Sequence, residues 1–284
     1  RQPDDGWVIT SKLLPGLSLS EGKHQLLKIL ERLGCSQLDN LAIHGLNRPE
    51  HLDWALQGDG KDLLDWAQGE GHTVQVGFSS HGSQSLIAAA IASERFQFCS
   101  LHLHLLDPQR IPLAQRALKQ GMGVLAISPA DKGGRLQAPS PTLTSDCAPF
   151  PPLHLAYRYL LAHGISTLSV GAAKASDLTL AAALQSSGAP LTSEEQTSLR
   201  QLADHRRERV GADLCGQCQA CLPCPNEVPI PELLRLRNLA IGHDMTPSAR
   251  SDTTSSEEQV IGGKASMPAP ASAVGIACPA VLTS

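Results

Sequence analysis

Four cysteines stand two residues apart in Cys215-Gly-Gln-Cys218-Gln-Ala-Cys221-Leu-Pro-Cys224-Pro225. Thiolates packed this closely can wrap one compact, soft inorganic core, and a [4Fe–4S] cluster is the occupant that the spacing favours. The usual ferredoxin run has about three residues before its final Cys-Pro, where this chain has Leu222-Pro223. Zinc stays open as an alternative, although structural zinc sites set two C-x2-C knuckles about a dozen or more residues apart. Disulfides stay open as well, and would need an oxidising compartment. Cys35, Cys99 and Cys147 have no metal-like spacing and read as free thiols.

A second set of reactive side chains stands where apolar runs end. Lys12 closes Val-Ile-Thr-Ser-Lys, and His44 closes Leu-Asp-Asn-Leu-Ala-Ile-His. Ser79, Ser80 and His81 close a third run, and Lys132 with Gly133 lies in an Asp-Lys-Gly-Gly loop after Ser128. Singly, each has a plain reading: a solvated charge, a structural histidine or a turn. His102 and His104 point to one side of a strand, which fits a metal site, but no third ligand stands near them in sequence. A polar role at the mouth or inside of a barrel is the expectation for that pair.

The elements that must position these groups follow from hydrophobic spacing. Strands are expected at Trp7–Leu13, Leu38–His44, Val74–Ser79, Phe96–His104, Gly123–Ser128 and Thr167–Gly171, apolar on most positions as strands covered on both faces are. Helices are expected at Gly22–Leu33, Lys61–Gln68, Ser83–Ser93, Pro112–Lys119 and Leu153–Ala162, with Gly34, Gly71, Gly121 and Gly164 as stop signals. The alternation predicts an α/β fold with a parallel sheet. No Gly-x-Gly-x-x-Gly follows the first strand, which disfavours a doubly wound nucleotide fold and favours a (β/α)8 TIM barrel lacking its first two β/α units. The expected division is a partial barrel over 1–190, a linking helix over 191–210 opened by Ser193-Glu-Glu-Gln196, a ferredoxin-like Fe–S segment over 211–245 and a tail over 246–284. Within the third part, Pro229-Ile-Pro231 should start a helix through Glu232–Asn238 that packs the cluster segment.

The chain has 284 residues and a net charge of −4, which gives no electrostatic reason to expect nucleic acid or an anionic membrane as partner. No apolar run approaches membrane-spanning length and no secretory signal is present, so a reducing cytoplasm is the expected location. The sequence opens at Arg1 and enters a strand-like segment almost at once, and a missing front part is expected.

In order and spacing these segments resemble the iron–sulfur-bearing branch of the aldo/keto reductase family. Ile9–Lys12, Leu38–Asn47, Val76–Gly82, Ile127–Gly134, Ser169–Ala173 and Cys215–Pro231 carry the resemblance, which spans about residue 7 to Met245. It implies NADPH-linked hydride transfer to a small-molecule carbonyl, and an electron-transfer partner for the cluster. By position, Lys12 matches the lysine that lowers the pKa of a proton-donating tyrosine, and His44 the histidine that orients the carbonyl. Ser79 matches a residue near the nicotinamide. Ser128, Lys132 and Gly133 match one phosphate-holding loop, and Gly171 and Lys174 another. The family's Asp and Tyr would fall on the absent first strands, and Tyr157 and Tyr159 cannot replace them because they lie in a later helix. The runner-up readings are a non-enzymatic Fe–S electron-transfer protein with the barrel as scaffold, and an inactive fragment.

The resemblance stops after Met245, where a Ser/Ala/Pro/Gly tail without periodicity begins, the composition of a disordered segment. Read from the third base of each codon, 273–282 can encode a second cysteine-proline run. A frameshift just after Met245 is therefore expected, with Cys278 no ligand and Cys224 the member of the first run open to reassignment to another cluster. The nucleotide sequence decides this.

Overall fold

The computed structural model describes residues 6–184, 188–218 and 220–246, with 132–134 described by backbone alone. The tail expected over 246–284 lies, but for its first residue, outside the described residues. Six strands form one sheet in sequence order: β1 (Thr10–Leu13), β2 (Leu38–Ile43), β3 (Thr73–Ser80), β4 (Phe98–His102), β5 (Gly123–Ile127) and β6 (Thr167–Leu168). Every neighbouring pair is parallel. A doubly wound sheet reverses its strand order, whereas an unbroken order with helical crossovers is that of a (β/α) barrel wall. Among the described residues the ladder has six strands, short of an eight-stranded barrel, and ends at β1 and β6. The ends of the ladder are short. β1 starts three residues later than the apolar pattern predicts, leaving Trp7 exposed, and β6 shrinks to two residues.

The helices are α1 (Leu19–Leu33), α2 (Pro49–Leu56), α3 (Asp59–Gly69), α4 (Gln84–Ala92), α5 (Ile111–Lys119), α6 (Pro141–Asp146), α7 (Pro152–Ala162), α8 (Thr179–Leu184), α9 (Ser193–Val210) and α10 (Ile230–His243), and α1 to α5 pack against the sheet. Helix α1 begins a turn before its apolar stripe because Ser18 and Glu21 make a capping box, the Ser18 hydroxyl accepting from the Glu21 amide at 3.3 Å. Gly34 ends it in the left-handed conformation, at φ 63°. The box that opens α9 is Thr192 with Glu195, one residue earlier than Ser193 with Gln196.

Two apolar clusters result. The larger fills the space between sheet and helices with residues such as Leu41, Ile43, Phe78, Ile87 and Leu101. Gly77 lies at a tight point, where an added Cβ would sit 2.4 Å from the Phe98 carbonyl oxygen on the next strand. The smaller cluster joins Leu105, Leu106 and Ala130 after the strand ends to Leu143, Leu155, Leu202, Leu239 and Met245. It binds α6, α7, α9 and α10 to the barrel, so the helix after the cysteine run packs on the barrel rather than on the cysteines alone. No helix among the described residues is long and apolar enough to cross a membrane.

Candidate active site at the barrel mouth

Parallel strands bring all six C-terminal ends to one face, the face on which barrels of this type carry their chemistry. On it, Lys12 of β1 pairs in register with Ala42 of β2, and the His44 amide donates to the Leu13 carbonyl at 2.7 Å. The two side chains are therefore neighbours on adjacent strand ends. Both keep exposed surface. Crowding by the surrounding protein still lowers the pKa of Lys12. His44 is lowered too, first by burial and then by the positive charge of Lys12. The pair thus places a cation beside an imidazole whose ring N–H can donate a hydrogen bond to a carbonyl oxygen.

Ser79 is buried on β3, next to β2. Its hydroxyl accepts from the Gly45 amide at 3.0 Å, and its carbonyl accepts from the Leu46 amide at 2.8 Å. Ser80 donates to the Leu46 carbonyl at 2.6 Å, and Asn47 accepts from the His81 amide at 2.7 Å. These bonds stitch the loop after β2 to the end of β3 and fix the backbone that carries His44.

The two expected phosphate loops meet. Ser128 follows β5 with φ 54°, and its amide donates to the Ser169 hydroxyl at 3.2 Å. Gln137 donates to the Gly171 carbonyl at 3.3 Å, tying the loop of Lys132 and Gly133 to the loop after β6. The Lys132 side chain lies outside the described part of the structure. Lys174 is exposed, and its amide donates to Asp177 at 3.1 Å.

The cysteine run lies between α9 and α10. Cys215 and Cys224 are half-buried, Cys218 and Cys221 exposed, and all four are free thiols. Gln217, at φ 54°, turns its amide and side-chain nitrogen to 3.4 and 3.5 Å from the Cys215 sulfur, and its side chain also donates to the Pro231 carbonyl at 2.8 Å. Asn238 of α10 donates to the Cys215 carbonyl at 2.9 Å. Soft sulfur donors with N–H groups aimed at one of them suit an iron–sulfur cluster chemically. Cys99 and Cys147 are buried away from this segment, and burial pushes both thiols up to about 12.

Sequence reasoning missed one partner. His102 ends β4, His104 follows two residues later, and Asp131 comes from the loop after β5; all three are buried, with ligand atoms within 4.8 Å of one another. The expectation that His102 and His104 lack a third ligand is corrected: it arrives from the neighbouring strand, 27 positions along the chain from His104. A cavity of about 230 Å³ beside this group is walled on the barrel side by His81, His102, Asp107 and Arg110. Gln217, Leu222, Glu232 and Arg235 of the cysteine segment and α10 wall the other side.

These elements define a parallel α/β fold consistent with part of a (β/α)8 barrel, its polar groups gathered at the strand ends. Comparison with solved structures gives the same architecture. The chain is similar to the aldo-keto reductase AKR11C1 from Bacillus halodurans in its holo form, with a TM-score of 0.55 and 21% identity over 68% of this chain and 72% of that one. It is similar to MGS-M4, an aldo-keto reductase from a Medee basin deep-sea metagenome library, with a TM-score of 0.54 and 15% identity over 70% of this chain and 72% of that one. It also resembles an aldo/keto reductase from Brucella melitensis, with a TM-score of 0.52 and 16% identity over 68% and 73% of the two chains. At these identities the likeness carries the fold. No family model and no curated protein matches the sequence.

Proposed function

We propose that the chain carries the cofactor- and carbonyl-facing side of an NADPH-linked oxidoreductase of the aldo/keto reductase kind, with a [4Fe–4S] cluster on its cysteine segment. The observation that carries this reading is the Lys12–His44 pair on adjacent strand ends of a sheet shared with aldo-keto reductases. NADPH supplies a hydride when bound, and the cluster supplies single electrons. The chain's own residues do the rest. His44, whose pKa is lowered by partial burial and by Lys12, orients a carbonyl oxygen through its ring N–H. Lys12 supplies the positive charge that favours an oxyanion or phenolate beside it. Ser79 holds the nicotinamide end, while Ser128, Lys132, Gly133, Gly171 and Lys174 take the phosphates. Cys215, Cys218, Cys221 and Cys224 hold the cluster.

Reduction of a carbonyl also consumes a proton. Neither tyrosine supplies it: Tyr157 and Tyr159 lie on α7, and burial raises the pKa of both phenols, the wrong direction for a donor at neutral pH. On this reading the proton comes from a donor other than these two phenols. Anaerobic reconstitution with iron and sulfide tests the cluster. About four irons per chain with a reducible paramagnetic signal, lost in Cys218→Ser, is expected. Reconstitution that leaves the protein colourless overturns that half of the reading. A reducible cluster without nicotinamide binding would favour the electron-transfer scaffold.

A further inference from the structure

We propose that His102, His104 and Asp131 form a second metal site at the barrel mouth, one for a divalent first-row transition ion such as Zn²⁺. The two histidines lie two residues apart on extended chain, so both rings leave the same side. Asp131 reaches them from the next strand's loop, its Oδ1 at 3.5 Å from His104 Nε2. Two ligand atoms of a tetrahedral ion with bonds of about 2.1 Å stand roughly 3.4 Å apart, so this edge already has the required length. The widest separation within the group, 4.8 Å at most, closes with small side-chain rotations.

Three features point to an ion rather than to a purely structural cluster. The donors are two imidazoles and one carboxylate, the mixed N/O set of three-ligand zinc sites that keep an open position. Asp131 Oδ2 is buried and has no hydrogen-bond partner among the described residues, so a second oxygen stands ready for coordination. His102 lines the cavity of about 230 Å³, which leaves room for water or a carbonyl oxygen as the fourth ligand. Arg235 is the competitor: its Nη1 lies 3.4 Å from Asp131 Oδ1. It also has a closer partner in Glu232, at 2.9 Å, that can hold it when the ion takes Asp131. Glu232 and Asp107, on the same cavity, offset part of the added charge.

Cobalt(II) added to the cluster-free chain distinguishes this site from the thiols, because thiolate ligands give an intense charge-transfer band that imidazole and carboxylate do not. The expected result is about one equivalent of cobalt with visible ligand-field absorption and no thiolate band, displaced by Zn²⁺ but not by Mg²⁺. That absorption should survive Cys218→Ser with Cys221→Ser and disappear in His104→Ala. The near-isosteric Asp131→Asn, checked for folding by circular dichroism, should weaken binding at least about ten-fold, and Arg235→Gln should tighten it. Wild-type protein that takes up cobalt through its thiolates alone, or a folded Asp131→Asn that binds as wild type does, overturns the proposal.

Discussion

His44 takes its chemistry from its neighbours. Burial lowers its pKa, and Lys12 lowers it further, so the surroundings favour the uncharged form of the ring. Lys12→Met removes one of those causes, and the His44 pKa, followed by NMR titration of the ring protons, should rise toward the ordinary value of ~6.5. An unchanged value would mean that the two side chains do not act on each other. Both residues were legible in the sequence, because each closes an apolar run on a strand whose neighbour is next in the chain. Asp131 was not. It stands in the loop beyond the end of β5, off any apolar run, so no strand-end pattern marks it.

Among the elements, β3 meets β4 closely at Gly77, where a methyl group would meet the Phe98 carbonyl and ring at 2.4 and 2.6 Å. Backbone on a packed strand cannot yield as a flexible side chain can. Gly77→Ala should therefore cost about 2 kcal/mol and lower the melting temperature by several degrees. A calorimetric scan superimposable on wild type would show that the strands part easily. Glu195 joins another pair of elements. It caps α9 through Thr192 and accepts from Arg158 of α7 at 2.8 Å, with both side chains buried. The Arg158 hydrogen bond is the main cause of its pKa falling to about 2. Glu195→Gln should destabilise the fold by about 3 kcal/mol at neutral pH, read from urea unfolding. The apolar periodicity predicted α1, α3, α4, α5 and α7, and the residues that open α9 and α10 predicted those two. It gave no sign of α2, α6 or α8, which are too short for a repeating stripe and draw their stability from caps such as Ser140 on α6 and from contacts with longer helices.

At the scale of the whole molecule, the helices after the barrel are tied to it by ionised groups, and this makes stability depend on acid. Asp146 of α6 accepts from Arg209 at 2.8 Å and from His205 at 2.7 Å, both on α9. Burial pushes its carboxyl up, but those two partners outweigh burial and the net shift is down. His243, at the end of α10, is buried with neither ring nitrogen hydrogen-bonded among the described residues, and burial drops its pKa to about 4. The unfolded chain binds a proton at this histidine below pH ~6.5 while the folded chain resists until about 4, so stability falls across that window. Glu195 adds a second decline as pH drops from ~4.3 to about 2. Melting temperatures measured from pH 7 to pH 3 should fall in these two stages, and His243→Asn should flatten the upper one. An upper limb unchanged in that variant would assign the loss to another group.

The molecule's central feature is a row of strand ends, of which those of β3 and β4 meet a cavity that the cysteine segment helps to wall. If that row is a nicotinamide nucleotide site, titrating NADPH into the intact chain and following its fluorescence should show saturable binding at about one equivalent. Lys174→Ala should weaken it several-fold without changing the circular dichroism. A folded wild-type chain that leaves NADPH fluorescence unchanged up to millimolar concentration would contradict the account.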